Sequence, residues 1–173
     1  MTRGYEVGYS EAVVGNCGKH WDNYRFLWIT MFIGEYTYSI DEKKRLAIPA
    51  KFRLALGKRA VLTRGIDNCL VIYPLEEWQK LAKKLEGLPS SQTDARAFAR
   101  IMLAGACDVQ LDKLGRILIP DYLKNYAMFQ KNVAVIGLSN RIEIWDEKKW
   151  RDYKEKTERE IGDMAQRLKE LGI

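Results

Sequence analysis

An aspartate and an arginine four positions apart occur twice in this chain, each time followed by a short apolar run and an Ile-Pro step. They are Asp41 and Arg45 in DEKKRLAIPAKFR, and Asp112 and Arg116 in DKLGRILIPDYLK. A short carboxylate at a strand end can accept backbone N–H bonds in a turn, or hold the arginine by a charge-assisted pair. A guanidinium held in that way loses less freedom when it meets a phosphate or a guanine edge. The same two residues can also do no more than fix a hairpin. Two copies in register, with extra lysines in the turns, favour recognition over hairpin fixing.

The positive charge follows these motifs. From Asp41 to Arg64, eight cations (Lys43, Lys44, Arg45, Lys51, Arg53, Lys58, Arg59, Arg64) stand against Asp41 and Glu42, a local +6 that equals the net charge of the chain. From Asp112 to Lys131, Lys113, Arg116, Lys124 and Lys131 stand against Asp112 and Asp121, a local +2. Such a balance favours an anionic partner, with nucleic acid and an anionic membrane surface as candidates.

Other chemistries lack their residues. His20 is the single histidine. No serine, cysteine or lysine has a recognisable base partner, no glycine-rich phosphate loop occurs, and no carboxylate cluster suggests a metal. No catalytic residue, metal ligand, cofactor or small-molecule substrate is therefore assigned. Cys17 and His20 are spaced like half a zinc site without a second half nearby. Three scattered cysteines (Cys17, Cys69, Cys107) suggest a reducing compartment rather than a disulfide scaffold. No apolar run approaches the roughly 20 residues that span a bilayer. The expected location is the cytoplasm.

The elements that must hold the two turns are themselves repeated. Leu70 to Tyr73 matches Ile142 to Trp145, and Trp78 matches Trp150, so the shift of 71 at the aspartates has become 72 at the tryptophans. Each copy reads as β-β-α-β-β followed by a helix. Pro49 and Pro120 end strands and suit the first turn of a short helix. Residues 65–68 and 137–140 read as hairpin turns. Gly115 can take a positive φ cheaply and Lys44 cannot, so the first turn should have a different backbone or carry strain.

The copies occupy residues 35–77 and 106–149, with a helical connector at 78–105 and a C-terminal helix at 150–173. That helix carries a stripe of Trp150, Tyr153, Thr157, Ile161, Met164, Leu168 and Leu171, suited to packing or oligomer contact. Residues 1–30 sustain no period and read as an extension, or as a start placed too early, with the compact protein beginning at Met31. One copy alone is too small to build a stable core unaided. Two copies interleaved into one barrel-like α+β domain would complete it.

MFIGEYTYSIDEKKRLAIPAKFR, followed about seventy residues on by VQLDKLGRILIP, resembles the MraZ family, the duplicated branch of the SpoVT/AbrB swapped-hairpin superfamily. The resemblance runs from Met31 to the C-terminus. It implies a nucleoid-associated transcriptional regulator that binds double-stranded DNA at tandem direct repeats upstream of its own division and cell-wall operon. It also implies a ring-shaped homo-oligomer. Carried onto this chain, Lys43, Lys44, Arg45, Lys113 and Arg116 become the DNA contacts, with Lys51, Arg53 and Arg64 as additional phosphate contacts and Asp41 and Asp112 as turn supports. Lys44 departs from the small turn residue common in the family, and residues 1–30 are foreign to it. A different class, a non-catalytic ring or scaffold whose basic loops grip an acidic protein, uses the same charges.

Overall fold

The structure is a computed structural model and describes residues 31–169. The expectations for residues 1–30, with Cys17 and His20, and for Leu171 fall outside the described residues. Each repeat produces the same order of elements. The first gives β1 (Phe32–Ser39), β2 (Arg45–Ala47), α1 (Ala50–Leu56), β3 (Arg59–Arg64), β4 (Leu70–Pro74) and α2 (Leu75–Glu86). After α3 (Thr93–Ala104), the second gives β5 (Cys107–Gln110), β6 (Arg116–Leu118), α4 (Asp121–Ala127), β7 (Asn132–Ser139), β8 (Arg141–Asp146) and α5 (Glu147–Leu168).

The strands pair across the repeats. The main sheet is antiparallel, in the order β1-β7-β8-β4-β3-β5, and β2 pairs with β6 in a separate ribbon. Strand β1 of the first copy therefore lies on β7 of the second, and β5 of the second lies on β3 of the first. The ladder does not run on from β5 to β1, which form its two edges. One apolar core serves both copies: Leu46 and Phe52 from the first, and Ile117 and Leu123 from the second, have 0% exposure in a single cluster. Each copy supplies only part of this one cluster, so the copies fold as one body.

Both Ile-Pro steps act as expected: Pro49 and Pro120 stand immediately before α1 and α4, where their carbonyls accept from Phe52 and Leu123 N–H at 2.8 and 3.1 Å. One turn assignment is corrected. Residues 65–68 do turn between β3 and β4, closed by Gly65 N–H donating to the Cys69 carbonyl at 2.8 Å. Gly137, however, lies inside β7 opposite Gly34, and the reversal comes later, at Ser139 with φ 58 and Asn140. A Cβ at Gly137 would lie 2.5 Å from the Phe32 carbonyl carbon, so this glycine serves a close strand approach rather than a turn.

Helix α5 starts on a buried cap, Asp146, whose carboxylate accepts from the N–H groups of Lys148 and Lys149. Its first turns pack Trp150 and Tyr153 on Trp145, with ring centroids 5.1–5.7 Å apart. Farther along, Ile161 and Leu168 of the stripe are exposed. Among the described residues, no helix is long and apolar enough to cross a membrane.

Candidate functional site

The two Asp-Arg turns have the same construction. Asp41 accepts Arg45 N–H on one carboxylate oxygen at 2.9 Å, while the other oxygen takes Arg45 Nε at 2.8 Å and Nη2 at 2.8 Å. Asp112 does the same for Arg116, at 2.9, 2.8 and 2.7 Å. Each turn is closed by a backbone bond, Lys44 N–H to the Asp41 carbonyl and Gly115 N–H to the Asp112 carbonyl, both 2.9 Å. Of the two outcomes expected for the first turn, a different backbone is not what forms. Lys44 takes φ 60 where Gly115 takes φ 74, so the lysine carries the left-handed strain, of about 1–2 kcal/mol.

The ribbon places the turns side by side. Arg45 pairs with Leu118 and Ala47 with Arg116 across β2 and β6. The ladder extends at both ends: Ile48 N–H reaches the Gly115 carbonyl and Ile119 N–H the Lys44 carbonyl, each at 2.9 Å. Arg116 Nη1 also lies 3.6 Å from Asp41, linking the turns directly. Asp41, Arg45, Asp112 and Arg116 thus form one half-exposed cluster, with Lys43 and Lys113 exposed on the turns.

The remaining candidates separate. Lys44 Nζ is bound to Asp121 at 2.7 Å, which directs it to the start of α4. Lys51 is exposed, 3.5 Å from the Ile33 carbonyl. Arg53 donates Nε to the Ile48 carbonyl at 2.8 Å, and its guanidinium lies over the second turn, in the space a Cβ on Gly115 would take, 2.3 Å from Arg53 Cζ. Arg64 is at the far end of β3, stacked 5.2 Å over Tyr126 with its Nε buried, and does not join the cluster. Sequence reasoning counted Lys58, Arg59, Lys124 and Lys131 as charges but not as site residues. Lys58 and Arg59 line a crevice beside the second turn, and Lys124 and Lys131 one beside the first. Their placement comes from pairing between copies, which no local window displays.

The carboxylates are held ionised. Hydrogen bonds from the Arg116 guanidinium and then its backbone N–H bring Asp112 down to about 2. Asp41 is also lowered, first by the Arg45 backbone N–H and then by its side chain. A carboxyl whose folded pKa is depressed contributes its stability above the unfolded value, near 4, and loses it as pH falls through the folded value. The turns should therefore be fully formed above about pH 4 and weaken toward pH 2. Carboxyl-carbon NMR titration should place the Asp112 midpoint near 2 and move it up toward the ordinary range in Arg116→Ala, which removes the guanidinium and keeps the backbone N–H bonds. An ordinary midpoint in the intact protein would mean that the pair does not hold in solution.

The two cysteines among the described residues are not activated. Burial pushes the Cys69 thiol up to about 12 and raises Cys107, leaving both protonated at neutral pH. Among the described residues, no group of three or more His, Cys, Asp or Glu side chains is placed to hold a metal ion. The arrangement offers two rigid guanidiniums and a fringe of lysines on one ribbon, a surface for anions.

Comparison with known proteins agrees with the duplication. The family model of the MraZ protein matches residues 31–101 and again 102–171. The chain is similar to proteins named transcriptional regulator MraZ from several bacteria. That of Natranaerobius thermophilus is 46% identical over 143 residues, covering 83% of this chain and 100% of the relative. Those of Halothermothrix orenii and Thermoanaerobacter pseudethanolicus are 48% and 49% identical, with the same coverage.

Proposed function

The chain belongs to the MraZ family, and from that premise we propose that it is a DNA-binding transcriptional regulator without catalytic activity. The observation that carries this reading is the adjacent pair of Asp-supported arginines on the β2–β6 ribbon. Each aspartate occupies the Nε side of its guanidinium; the outer edge of Arg45 is left for a base or phosphate, and that of Arg116 is shared with Asp41 at 3.6 Å, a geometry that suits bidentate guanine recognition in the major groove. Lys43 and Lys113 would flank these contacts. Lys51 would add a phosphate contact, Lys44 would do so only by leaving Asp121, and Arg64 is held on Tyr126 away from the ribbon.

The finer reading follows the same logic. Residues 35–77 and 106–149 act as swapped-hairpin repeats of one barrel-like unit, with 78–105 and 150–173 as helical additions. Copies of that unit form a ring, which presents the ribbon repeatedly in one rotational sense and so suits tandem direct repeats rather than a palindrome. The repeats lie upstream of the protein's own division and cell-wall operon, and the protein works in the cytoplasm on the nucleoid.

Fluorescence anisotropy with the full chain tests this. A duplex from the region upstream of its own coding sequence should bind at least tenfold more tightly than a scrambled duplex of equal length at near-physiological salt, a modest specificity ratio for a DNA reader. Equal, weak binding to both would instead support a scaffold that grips an acidic protein.

A further inference from the structure

We infer that the two turns of one chain are unequal, because the first repeat builds a backbone-phosphate clamp onto the second turn. The inference rests on the DNA-binding reading above and names, within it, residues and an asymmetry that the repeats alone do not suggest. The clamp is a crevice of about 700 Å³ between α1 and the second turn, in which Arg53, Lys58 and Arg59 from the first copy face Lys113 from the second. Its counterpart beside the first turn, about 470 Å³, sets Lys124 and Lys131 from the second copy against Lys44 from the first.

Matching backbone bonds make the two crevices equivalent in construction. Leu111 N–H donates to the Lys58 carbonyl at 3.2 Å, and Ile40 N–H donates to the Lys131 carbonyl at 2.9 Å. Their chemistry differs. In the first crevice four cations meet one lining carboxylate, Asp112, with Asp108 at the rim 3.9 Å from Arg59. In the second, three cations meet Asp41 and Glu42, and Lys44 is itself neutralised by Asp121 at 2.7 Å.

Preorganisation differs as well. Arg53 is anchored through Nε on the Ile48 carbonyl, laid against Gly115, and lines the crevice. The equivalent positions hold Lys124 and Lys44, a flexible ammonium beside a bulky side chain, so the second crevice has no planar fork. A cleft of one predominant sign, walled in part by Leu54 and Leu111, concentrates its field on an incoming phosphate. The chain's local charge count gave the first copy the larger excess. The fold hands three of those cations, Arg53, Lys58 and Arg59, to the second turn.

Two matched variants test the asymmetry in the full chain: Lys58→Gln with Arg59→Gln, and Lys124→Gln with Lys131→Gln. Lys58 and Arg59 are exposed, and only their side chains change, so the backbone bonds of the crevice survive. Binding to the upstream and scrambled duplexes is followed by anisotropy over a series of salt concentrations. Loss of two phosphate contacts should make the slope of log K against log salt shallower by about 1.8 for each chain engaged. Both duplexes should weaken by the same factor, leaving the preference unchanged. The Lys124/Lys131 variant should move the slope less than half as far, and the charge-keeping exchange Lys58→Arg with Arg59→Lys should restore it.

Equal slope changes in the two variants, or an altered sequence preference, would overturn the clamp. An unmoved slope in a protein that still prefers its upstream duplex removes the clamp and leaves the regulator reading standing. Absence of any preference in the unaltered protein removes both.

Discussion

Replacing Phe52 by alanine is expected to destabilise the protein by about 3–5 kcal/mol and to loosen β1 before anything else. Phe52 has 0% exposure and meets Phe32 and Tyr36 edge-on, with centroids 5.5 and 5.3 Å away. Strand β1 is an edge strand bonded only to β7, and Phe32 is its one fully buried residue. The Lys154–Glu35 ion pair that also ties β1 to α5 is exposed and adds little. Phe52 is thus the anchor beneath β1, and its loss leaves a cavity bounded by two aromatic rings. A chain of this size should lose roughly 2–4 °C in Tm for each kcal/mol. Leu123→Ala, at the equivalent position of the second copy, should cost less, because less volume is removed. Urea unfolding checks the magnitudes, and amide exchange checks the order. If β1 amides stay as protected as those of β8 in Phe52→Ala, the anchor lies elsewhere.

Much of this architecture was legible because the chain states it twice. One weak β-β-α-β-β pattern is ambiguous, but two in register, each with an Ile-Pro step, fix the element order. The prolines mark the helix starts in both copies because a ring that presets φ and lacks an N–H can do little else there. Partnership between strands was not legible, since hydrogen bonds between β1 and β7, or β3 and β5, join residues far apart in the chain. Gly137 shows the consequence. Its neighbours Leu138, Ser139 and Asn140 resemble a turn, and the chain does turn at Ser139 and Asn140. The glycine itself answers to Phe32, a hundred positions away, whose backbone leaves no room for a Cβ.

The site divides in the same way. The Asp-Arg pairing is local, four residues within one turn, and it could be read from spacing and chemistry. Lys44 carried a legible conflict: its type disfavours the backbone that its motif requires. The ribbon holds it in that backbone all the same, through Ile119 N–H on its carbonyl, and Asp121 occupies its ammonium. Arg64 looked equivalent to its basic neighbours because charge counts carry no direction. On β3 it stands five positions after Arg59, and the two have different surroundings: Arg59 a solvent-facing crevice, Arg64 the ring of Tyr126.

Exchange of Arg45 and Arg116 for lysine is expected to abolish sequence preference almost as completely as exchange for alanine. A phosphate contact asks only for positive charge, and lysine supplies it. The turn asks for more. Asp41 and Asp112 each spend one carboxylate oxygen on the arginine backbone N–H and the other on Nε and Nη2 together. What remains is the Nη1 side, open at Arg45 and shared with Asp41 at 3.6 Å for Arg116, held in a plane set by the aspartate, and a plane is what a guanine edge with two acceptors can read. Lysine keeps the charge, loses the plane, and leaves the carboxylate half-satisfied. Each lost bidentate contact should lower discrimination by about 1–3 kcal/mol, roughly 5- to 150-fold. If the protein works as a ring, the loss multiplies over the subunits engaged. Anisotropy on upstream and scrambled duplexes separates the alternatives. In the double lysine variant, affinity for the scrambled duplex should stay within a few-fold while affinity for the upstream duplex falls to meet it. If the lysine variant keeps its preference, the arginines act as point charges, and sequence must be read by Lys43, Lys113 or the shape of the DNA.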